Sequence, residues 1–427
     1  MEILTISAVT LRRFILGQQG LWPGRRWRGK AGVAAALRSG SVVQIDPLNV
    51  IARSHDTSLY SRVLDYQPRQ LDELLYTDRV AFDYGGTVFI HLMEQLPYWR
   101  VVMERNRCHG RWAAFAELNP QVIDDVRTEI SARGPLGGRD FKGNNVGRGN
   151  YRGSKDTGLA LYYLWFSGEL MTAGRRFGTS SANTSGGSFD RLYDLRERVA
   201  PTKFNRAATS DEADAFFSIE TFRKMGILDA RGFRNWFSGM IQRKVGEGEA
   251  AERLAALQAA GTIVPIGMAG EPKDRRYILA VELAHLEALQ ADRVPEDWQP
   301  IAAHTSLEAV VLAPLEIVSA RGRARLLFDF DYVWEVYKPV ELRRWGYYTL
   351  PILYGDRLAA RFDSRLERAA GTLRILGFWL EDWVHVDESF RAALAAGFRR
   401  FMTFTGAEQL ECAPGLSAET KCLFEMF

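Results

Sequence analysis

The chain has 427 residues, which is more than one compact core usually organises, so we expect two to four subdomains. Apolar residues make up 47% and charged residues 25% of the sequence, a globular mixture that excludes wholesale disorder and a membrane-embedded chain. No apolar stretch is long enough to span a bilayer, and the N-terminal residues do not have the pattern of a secretory signal. We therefore expect a cytoplasmic protein.

Cysteine and histidine usage argues against a metal site. The three cysteines, Cys108, Cys412 and Cys422, are too few and too far apart for a disulfide framework or a zinc knuckle. The six histidines lack the paired helical spacing of a metalloprotease. We therefore expect neither a metal nor a cofactor.

The distribution of charge is more informative than its sum. The 55 basic and 52 acidic residues leave a net charge of +3, which is too small to indicate a nucleic-acid partner. The stretch from Arg139 to Arg176 contains seven basic residues and three acidic ones. Two further clusters, residues 25–30 and 343–345, combine arginine with tryptophan. Each cluster alone fits a solvated surface, but together they favour phosphate contact and base stacking.

Capping residues and apolar periodicity predict the elements in chain order. Predicted helices cover Ser7 to about Gly20, Asn119 to about Gly134, about Ser154 to Phe166, Asp211–Met225, Arg231–Phe237, Glu249–Gln258 and Asp387–Phe404. Predicted strands cover Ser41–Pro47, Glu169–Arg175, Phe189–Leu195, Thr262–Ile266, Arg276–Leu279, Ala309–Leu312, Tyr332–Tyr337, Tyr347–Tyr354, Arg357–Phe362 and Thr372–Leu380. We expect a mobile linker over Gly178–Ser188 and a tight hairpin turn at Gly355-Asp356.

The order of these elements indicates an α+β fold. Two helices followed by a two-stranded ribbon, as in residues 119–195, are the outline of a winged-helix module, although other small α+β units share it. The same order recurs in residues 211–279, which indicates a repeated module. The chain after about Thr305 is rich in strands and closes with a helix.

One pair of polar residues fits a chemical role. On a strand, Gln44 and Asp46 would point the same way and lie about 7 Å apart, so both could reach one water molecule. The carboxylate can balance a developing positive charge or accept a proton, and the amide can orient the water. This pattern suits hydrolysis at a sugar C1 carbon. The alternative is a structured turn formed by Asp46-Pro47 and Asn49.

His55 also leaves two interpretations open. A histidine close to this pair fits a general base, but a histidine that is hydrogen-bonded within a turn fits equally.

The stretch Val42–His55 resembles the signature of the winged-helix DNA glycosylases of the AlkX (YcaQ-like) and AlkZ family. Further matches follow in the same order along the chain: residues 18–21, 59–62, 168–171, the wing segment 189–201, 330–339, 345–348 and Leu350-Pro351. The resemblance thus covers nearly the full chain.

The resemblance implies tandem winged-helix modules in a C-shaped arrangement with a β-rich C-terminal part. The expected boundaries are 1–110 for a module that carries Gln44 and Asp46, 111–208 for a second module with an extended wing, 209–305 for a third, and 306–427 for the β-rich part. It further implies a monofunctional glycosylase that removes N7-alkylated guanine, including guanine in interstrand crosslinks.

The resemblance also implies site residues and a partner. Gln44 and Asp46 match the family's catalytic Gln-x-Asp motif. We expect further contacts with substrate or DNA from Asn49, Arg53, His55, Arg148, Arg152, Lys155, Arg175, Arg176, Arg343 and Arg344. The expected partner is double-stranded DNA with an alkylated guanine or a crosslink, bound by a monomer that is nucleoid-associated when on DNA.

The sequence also departs from the family pattern. Residues 84–87 read Tyr-Gly-Gly-Thr where family members often have Tyr-Trp-Ala-His, and residues 313–317 read Ala-Pro-Leu-Glu-Ile in place of Ser-Pro-Phe-Asp-Pro. Asn150-Tyr151 replaces a pair of tryptophans. Two other hypotheses therefore stand beside the enzyme: a non-catalytic winged-helix DNA-binding or regulatory protein, and a structural scaffold.

Overall fold

The computed structural model describes residues 3–150, 153–177 and 189–425. Its helices are α1 (Ala8–Gln18), α2 (Gly29–Arg38), α3 (Ser54–Tyr60), α4 (Pro68–Tyr76), α5 (Leu96–Arg107), α6 (Gly110–Leu118), α7 (Pro120–Arg133), α8 (Asp156–Phe166), α9 (Arg196–Val199), α10 (Ser210–Met225), α11 (Ala230–Ile241), α12 (Glu247–Ala259), α13 (Leu283–Gln290), α14 (Arg323–Phe328), α15 (Glu388–Thr405) and α16 (Ala418–Cys422). Its strands are β1 (Thr5–Ile6), β2 (Trp27–Arg28), β3 (Val63–Leu64), β4 (Ala81–Tyr84), β5 (Phe89–Leu92), β6 (Asn145–Asn150), β7 (Gly153–Lys155), β8 (Leu170–Phe177), β9 (Phe189–Leu195), β10 (Leu228–Asp229), β11 (Ile263–Met268), β12 (Glu271–Leu279), β13 (Val310–Val311), β14 (Leu350–Tyr354), β15 (Arg357–Glu367), β16 (Thr372–Leu380) and β17 (Gln409–Cys412).

Most of the predicted elements are confirmed, and their ends follow local chemistry. The hydroxyl of Ser7 accepts a hydrogen bond from the backbone N–H of Thr10 and begins α1, and the Asp387 carboxylate caps α15 in the same way. The hairpin of β14 and β15 turns at Gly355-Asp356, where Gly355 has a φ of 59°. The predicted Gly178–Ser188 linker lies outside the described residues.

Two predicted strands are wrong. Ser41–Pro47 forms no regular strand, and only Gln44 makes an isolated bridge, because side chains bind the backbone N–H groups of this segment. Tyr332–Tyr337 is an irregular loop. Its buried Glu335 accepts hydrogen bonds from the backbone N–H groups of Arg344 (2.9 Å) and Trp345 (2.8 Å), which folds the chain back on itself.

The chain divides into two compact units. The first contains residues 1–70, 222–233 and 248–427, and the second contains residues 71–221 and 234–247. This division groups segments that are distant along the chain, whereas the four modules expected from the sequence are consecutive. The module boundaries therefore stay a prediction.

The first unit is built on two sheets. A four-stranded sheet has the order β1-β11-β12-β10, and the β-rich C-terminal part forms a five-stranded sheet of order β13-β14-β15-β16-β17. Helix α15 packs on the second sheet through Phe398 and Phe401, whose rings lie 5.1 and 6.1 Å from Phe362 of β15. Strands β2 and β3 add a short parallel pair.

The second unit has a core of aromatic rings in edge-to-face and tilted contacts. The Tyr84 ring contacts Trp99 and Trp165 at 5.7 and 5.4 Å, and Trp99 contacts Phe217 at 4.9 Å. Helices α7 and α8 pack together beside the antiparallel ribbon of β8 and β9, as the winged-helix outline predicts. Among the described residues, no helix combines the length and the apolar character needed to cross a bilayer.

A fully buried ion pair joins two distant segments of the first unit. Arg62 Nη2 lies 2.6 Å from Glu316 Oε2, and both side chains are 0% exposed. The Ser58 hydroxyl at the end of α3 donates to the same carboxylate oxygen at 2.9 Å. Removal of one partner from such a pair leaves an uncompensated buried charge.

We expect Arg62→Met to lower the free energy of unfolding by about 3–5 kcal/mol, because Glu316 then stays buried without its counterion. Arg374→Met is the matched control, since Arg374 pairs with Glu367 at the surface and such pairs contribute about 0–1 kcal/mol. Urea denaturation of both variants measures the difference. Equal small losses would show that the buried pair does not stabilise this unit.

Candidate active site

The residues Val42–Leu48 are held in place by side chains from other parts of the first unit. Gln19, just after α1, accepts a hydrogen bond from the backbone N–H of Val42 at 3.0 Å through its Oε1. Its Nε2 donates to the backbone oxygen of Lys224 at 3.0 Å and, at 3.4 Å, to that of Gly40. A single buried amide therefore fixes the entry into this segment.

His55 anchors the middle of the same segment. It lies in the first turn of the buried helix α3, and its Nδ1 accepts the backbone N–H of Asp46 at 3.4 Å. An accepting Nδ1 requires the ring proton to be on Nε2 in the neutral imidazole. The contact agrees with the interpretation of His55 as a histidine hydrogen-bonded within a turn, and it gives the ring a positioning role.

Asp46 combines a turn with an unused carboxylate oxygen. Its Oδ1 accepts the backbone N–H of Leu48 at 2.9 Å, which is the Asx-type contact that the turn interpretation requires. Among the described residues, Oδ2 has no hydrogen-bond partner, and the residue is 7% exposed. Burial raises the pKa of the Asp46 carboxyl, and the Leu48 N–H only partly offsets this. The carboxylate is therefore a better proton acceptor than an exposed one.

Gln44 is half-buried and is oriented by an arginine. Arg321 Nη2 donates to Gln44 Oε1 at 3.0 Å, which leaves the amide Nε2 without a partner among the described residues. Val43 and Ile45 on either side of Gln44 are buried, but Asp46 is buried as well, so burial does not show the alternation of faces that the sequence predicts. An N–H donor and a carboxylate oxygen thus stand two residues apart.

The C-terminal part contacts the chain shortly after this segment. The Tyr348 hydroxyl donates to the backbone oxygen of Ala52 at 3.2 Å. Burial and the nearby Asp46 and Asp56 carboxylates raise the pKa of Tyr348, which keeps the phenol protonated. Asp363 accepts the N–H groups of Tyr347 and Tyr348, and a Cβ at Gly346 would lie 2.1 Å from its carboxylate. The glycine is therefore needed for the close approach.

Two other predicted residues, Asn49 and Arg53, lie near the segment. Asn49 Oδ1 accepts a hydrogen bond from Arg368 at 3.1 Å. The Arg53 guanidinium lies 2.5 Å from Asp56, which also accepts the Tyr66 hydroxyl at 2.6 Å. The Arg53 side chain is 12% exposed, so this arginine belongs to a buried network.

The predicted basic residues of the C-terminal part have partners within the protein. Arg344 pairs with Asp331 at 2.5 Å and lies over the Trp345 ring. Arg343 donates to the backbone oxygen of Lys338 at 2.9 Å and lies over the Tyr347 ring. Contact of either residue with DNA stays a prediction.

In the second unit, the predicted basic residues differ in accessibility. Arg175 is 4% exposed and forms a buried ion pair with Asp83, so it cannot reach a phosphate while that pair is intact. Arg176 is 42% exposed but donates twice to Asp140, and Lys155 is exposed with its amine 3.3 Å from the Phe141 oxygen. Arg152 and the side chain of Arg148 lie outside the described residues.

Sequence reasoning missed three residues that complete the site. Gln19 falls within residues 18–21, a block that resembles the family, so the sequence marked this residue but did not indicate what its side chain does. Arg321 and Arg368 gave no signal, because their contacts span 277 and up to 319 positions of the chain. No group of three or more potential metal ligands occurs in the part of the chain that the structure describes.

Comparison with known proteins identifies the family. The family model described as DNA glycosylase AlkZ-like matches residues 37–404, most of the chain. The chain belongs to the AlkZ-like DNA glycosylase family. The resemblance inferred from the sequence is confirmed, and the matched range contains Gln44 and Asp46.

A solved structure shares the AlkZ-like fold. The Streptomyces sahachiroi DNA glycosylase AlkZ is 12% identical, with a TM-score of 0.58 over 96% of this chain and 100% of that chain. At this identity the similarity establishes the fold alone. Together with the observed sheets and helices it confirms the predicted α+β class with a β-rich C-terminal part.

We expect Gln19→Leu to loosen the segment Val42–Leu48. The substitution removes the oxygen that accepts the Val42 N–H and the amide nitrogen that donates to the backbone oxygens of Gly40 and Lys224. Hydrogen–deuterium exchange should become faster in a peptide that covers residues 42–48. Gln18→Leu is the matched control, since the Gln18 amide contacts the Phe222 oxygen and not the segment. Unchanged exchange in Gln19→Leu would show that the segment is held by other contacts.

The Asp46 carboxyl should titrate above its usual pKa of 3.8, because burial disfavours its charged form. Carboxyl-carbon NMR of ¹³C-labelled aspartate, assigned with Asp46→Asn, measures this pKa. Asp140 is an internal control in the opposite direction, since its hydrogen bonds from Arg176 lower its pKa. A value for Asp46 at or below 3.8 would contradict the described burial.

Proposed function

We propose that this chain is a monofunctional DNA glycosylase that hydrolyses the N-glycosidic bond of N7-alkylated guanine in double-stranded DNA, including guanine in crosslinks. Family membership supports glycosylase activity. We place the reaction at the segment Val42–Leu48 because of one observation. Asp46 Oδ2 and Gln44 Nε2, two residues apart, have no hydrogen-bond partner among the described residues.

The choice of lesion follows from what the pair can supply. Alkylation at N7 makes guanine cationic, so the base departs with the electron pair of the C1′–N9 bond and needs no strong general acid. The sugar then develops positive charge at C1′ and needs a carboxylate and a water molecule. The Asp46 carboxylate and the Gln44 amide are sufficient to stabilise this charge and to position the water molecule.

The residues then have separate roles. The Asp46 carboxylate stabilises the positive charge on the sugar and accepts the proton of the attacking water, whose oxygen bonds to C1′. Gln44 positions this water through its amide N–H groups, which have no partner among the described residues. Arg321 fixes which end of the amide faces the reaction by holding Oε1. The products are the free base and an abasic site.

The exposure of Gln44 is consistent with crosslinked substrates. A guanine that is tethered to the opposite strand cannot swing freely into a deep pocket, which many glycosylases require. A half-buried amide on an irregular segment can meet a base that stays close to the duplex. This is the reason for including crosslinks in the proposal.

Base release from a duplex with a single N7-methylguanine, measured under single-turnover conditions, tests the proposal. We expect release by the wild type and a loss on the order of 100-fold or more in Asp46→Asn and Gln44→Ala. Asparagine keeps an oxygen for the Leu48 N–H, so the turn should survive. Asp65→Asn and Gln70→Ala, which change exposed or surface groups of the same unit, are matched controls and should keep the wild-type rate.

The pH dependence gives an independent measure. Because the pKa of Asp46 is raised, the rate should fall as the pH drops through a value above 3.8, and the Asp46→Asn variant should lack this limb. Persistent release by the Gln44→Ala, Asp46→Asn double variant would remove the pair from the mechanism. Duplex binding without any release by the wild type would favour the non-catalytic DNA-binding hypothesis instead.

A further inference from the structure

The second unit contains two clefts of similar size that differ in charge. One, of about 510 Å³, has four acidic and two basic side chains in its lining and does not suit an anion. The other, of about 610 Å³, is lined by three glutamates and by four arginines, Arg100, Arg107, Arg127 and Arg196. What the second cleft can bind depends on which of these arginines are already neutralised.

Two of the four arginines have carboxylate partners. Arg107 Nη2 lies 3.3 Å from Glu169 Oε1, and the same arginine pairs with Glu104. Arg127 Nε lies 2.9 Å from Glu169 Oε2, and this arginine also pairs with Asp124. An anion that enters the cleft would have to displace these carboxylates, so Arg107 and Arg127 are poor candidates for binding it.

Arg100 and Arg196 have only neutral hydrogen-bond partners. Arg100 Nη1 donates to the backbone oxygen of Asn205, and Arg196 Nη1 donates to that of Gly168 at 2.7 Å. Neither guanidinium has a carboxylate within 4.0 Å among the described residues, and Arg196 Nε is buried without a hydrogen-bond partner. A guanidinium has five N–H donors, and one backbone oxygen does not balance its charge.

The two guanidinium groups are close enough to repel each other. Burial, and then the nearby charge of Arg196, lowers the pKa of Arg100, and Glu197 offsets only part of this effect. Both arginines are half-buried, so water screens the repulsion less than it would at an exposed surface. An anion bound between them would replace this repulsion by attraction.

We propose that Arg100 and Arg196 form a binding site for a phosphate group in this cleft. Phosphate oxygens accept the paired N–H donors of guanidinium groups. Two sources share this chemistry, the backbone of DNA and free inorganic phosphate. The DNA source rests on the proposed function, whereas the site itself does not. The residues belong to the second unit, and Gln44 and Asp46 belong to the first.

Thermal melting in sodium phosphate, compared with sodium chloride of equal ionic strength, tests the site without DNA. We expect phosphate to raise the melting temperature of the wild type, because it binds the folded state. Arg100→Gln and Arg196→Gln should each weaken the phosphate affinity on the order of 10-fold, since each removes hydrogen bonds from a charged donor. Arg133→Gln is the matched control, because Arg133 is exposed, lies outside the cleft and pairs with Glu129.

Each variant is compared with its own melting temperature in chloride. Loss of the contacts to Asn205 and Gly168 lowers both melting temperatures and so does not imitate a loss of phosphate binding. A wild type that melts at the same temperature in both salts would overturn the proposal, as would glutamine variants that keep the wild-type phosphate affinity.

The affinity for an undamaged duplex at several sodium chloride concentrations identifies the source of the phosphate. A contact with the DNA backbone contributes about 0.9 to the slope of log affinity against log salt, so each glutamine variant should lose about this amount. Unchanged slopes together with weaker binding of inorganic phosphate assign the site to free phosphate. A wild type that shows the expected slopes but releases no N7-methylguanine refutes the proposed function and leaves the phosphate site standing.

Lysine variants keep the proposal testable where the glutamine variants fail to fold. Arg100→Lys and Arg196→Lys retain the positive charge and a donor for the backbone oxygen. They should keep the slope of duplex affinity against salt but bind inorganic phosphate severalfold more weakly, because lysine lacks the paired donors of a guanidinium. Wild-type phosphate affinity in both lysine variants would overturn the assignment of paired guanidinium donors to the site.

Discussion

The site depends on side chains that replace a neighbouring strand as hydrogen-bond partners of the backbone. The N–H groups of Val42, Asp46 and Leu48 are bound by Gln19, His55 and Asp46 itself. Buried backbone donors must be satisfied, so this arrangement is what allows an irregular segment inside the first unit. An irregular segment can expose an amide and a carboxylate oxygen that a sheet would hold in a fixed pleat. The positions of the Gln44 amide and the Asp46 carboxylate thus follow from the side chains that bind the backbone N–H groups of this segment.

The same unit shows which positive charges are available for DNA. Arginine is frequent along the chain, but many of its guanidinium groups are paired with carboxylates, as in Arg53–Asp56 and Arg344–Asp331. A count of basic residues therefore overstates the charge that can meet a phosphate. Arg368, whose partners are all neutral oxygens, is more informative than a cluster of paired arginines.

Two of the departures from the family pattern have structural explanations in this chain. Glu316, in the altered 313–317 block, is the fully buried partner of Arg62. In the second unit, Tyr84 sits in the aromatic core and its hydroxyl donates to the Phe166 oxygen at 2.7 Å, while Gly85 takes a φ of 107° in the hairpin between β4 and β5. Neither change touches the contacts that hold Gln44 and Asp46.

The sequence by itself determined the capped helices, the β8–β9 ribbon, the Gly355-Asp356 hairpin and the family, because these depend on local spacing and on motifs read within one segment. It also proposed Gln44 and Asp46 as the catalytic pair, which stays a prediction, but it assigned them to a strand. Only the tertiary structure decided that the segment is irregular, that Arg321 orients Gln44, and that Arg175 is buried against Asp83. Local patterns indicate what a backbone favours, whereas the hydrogen-bond partner of a side chain can lie far away along the chain, as Arg321 lies 277 positions from Gln44.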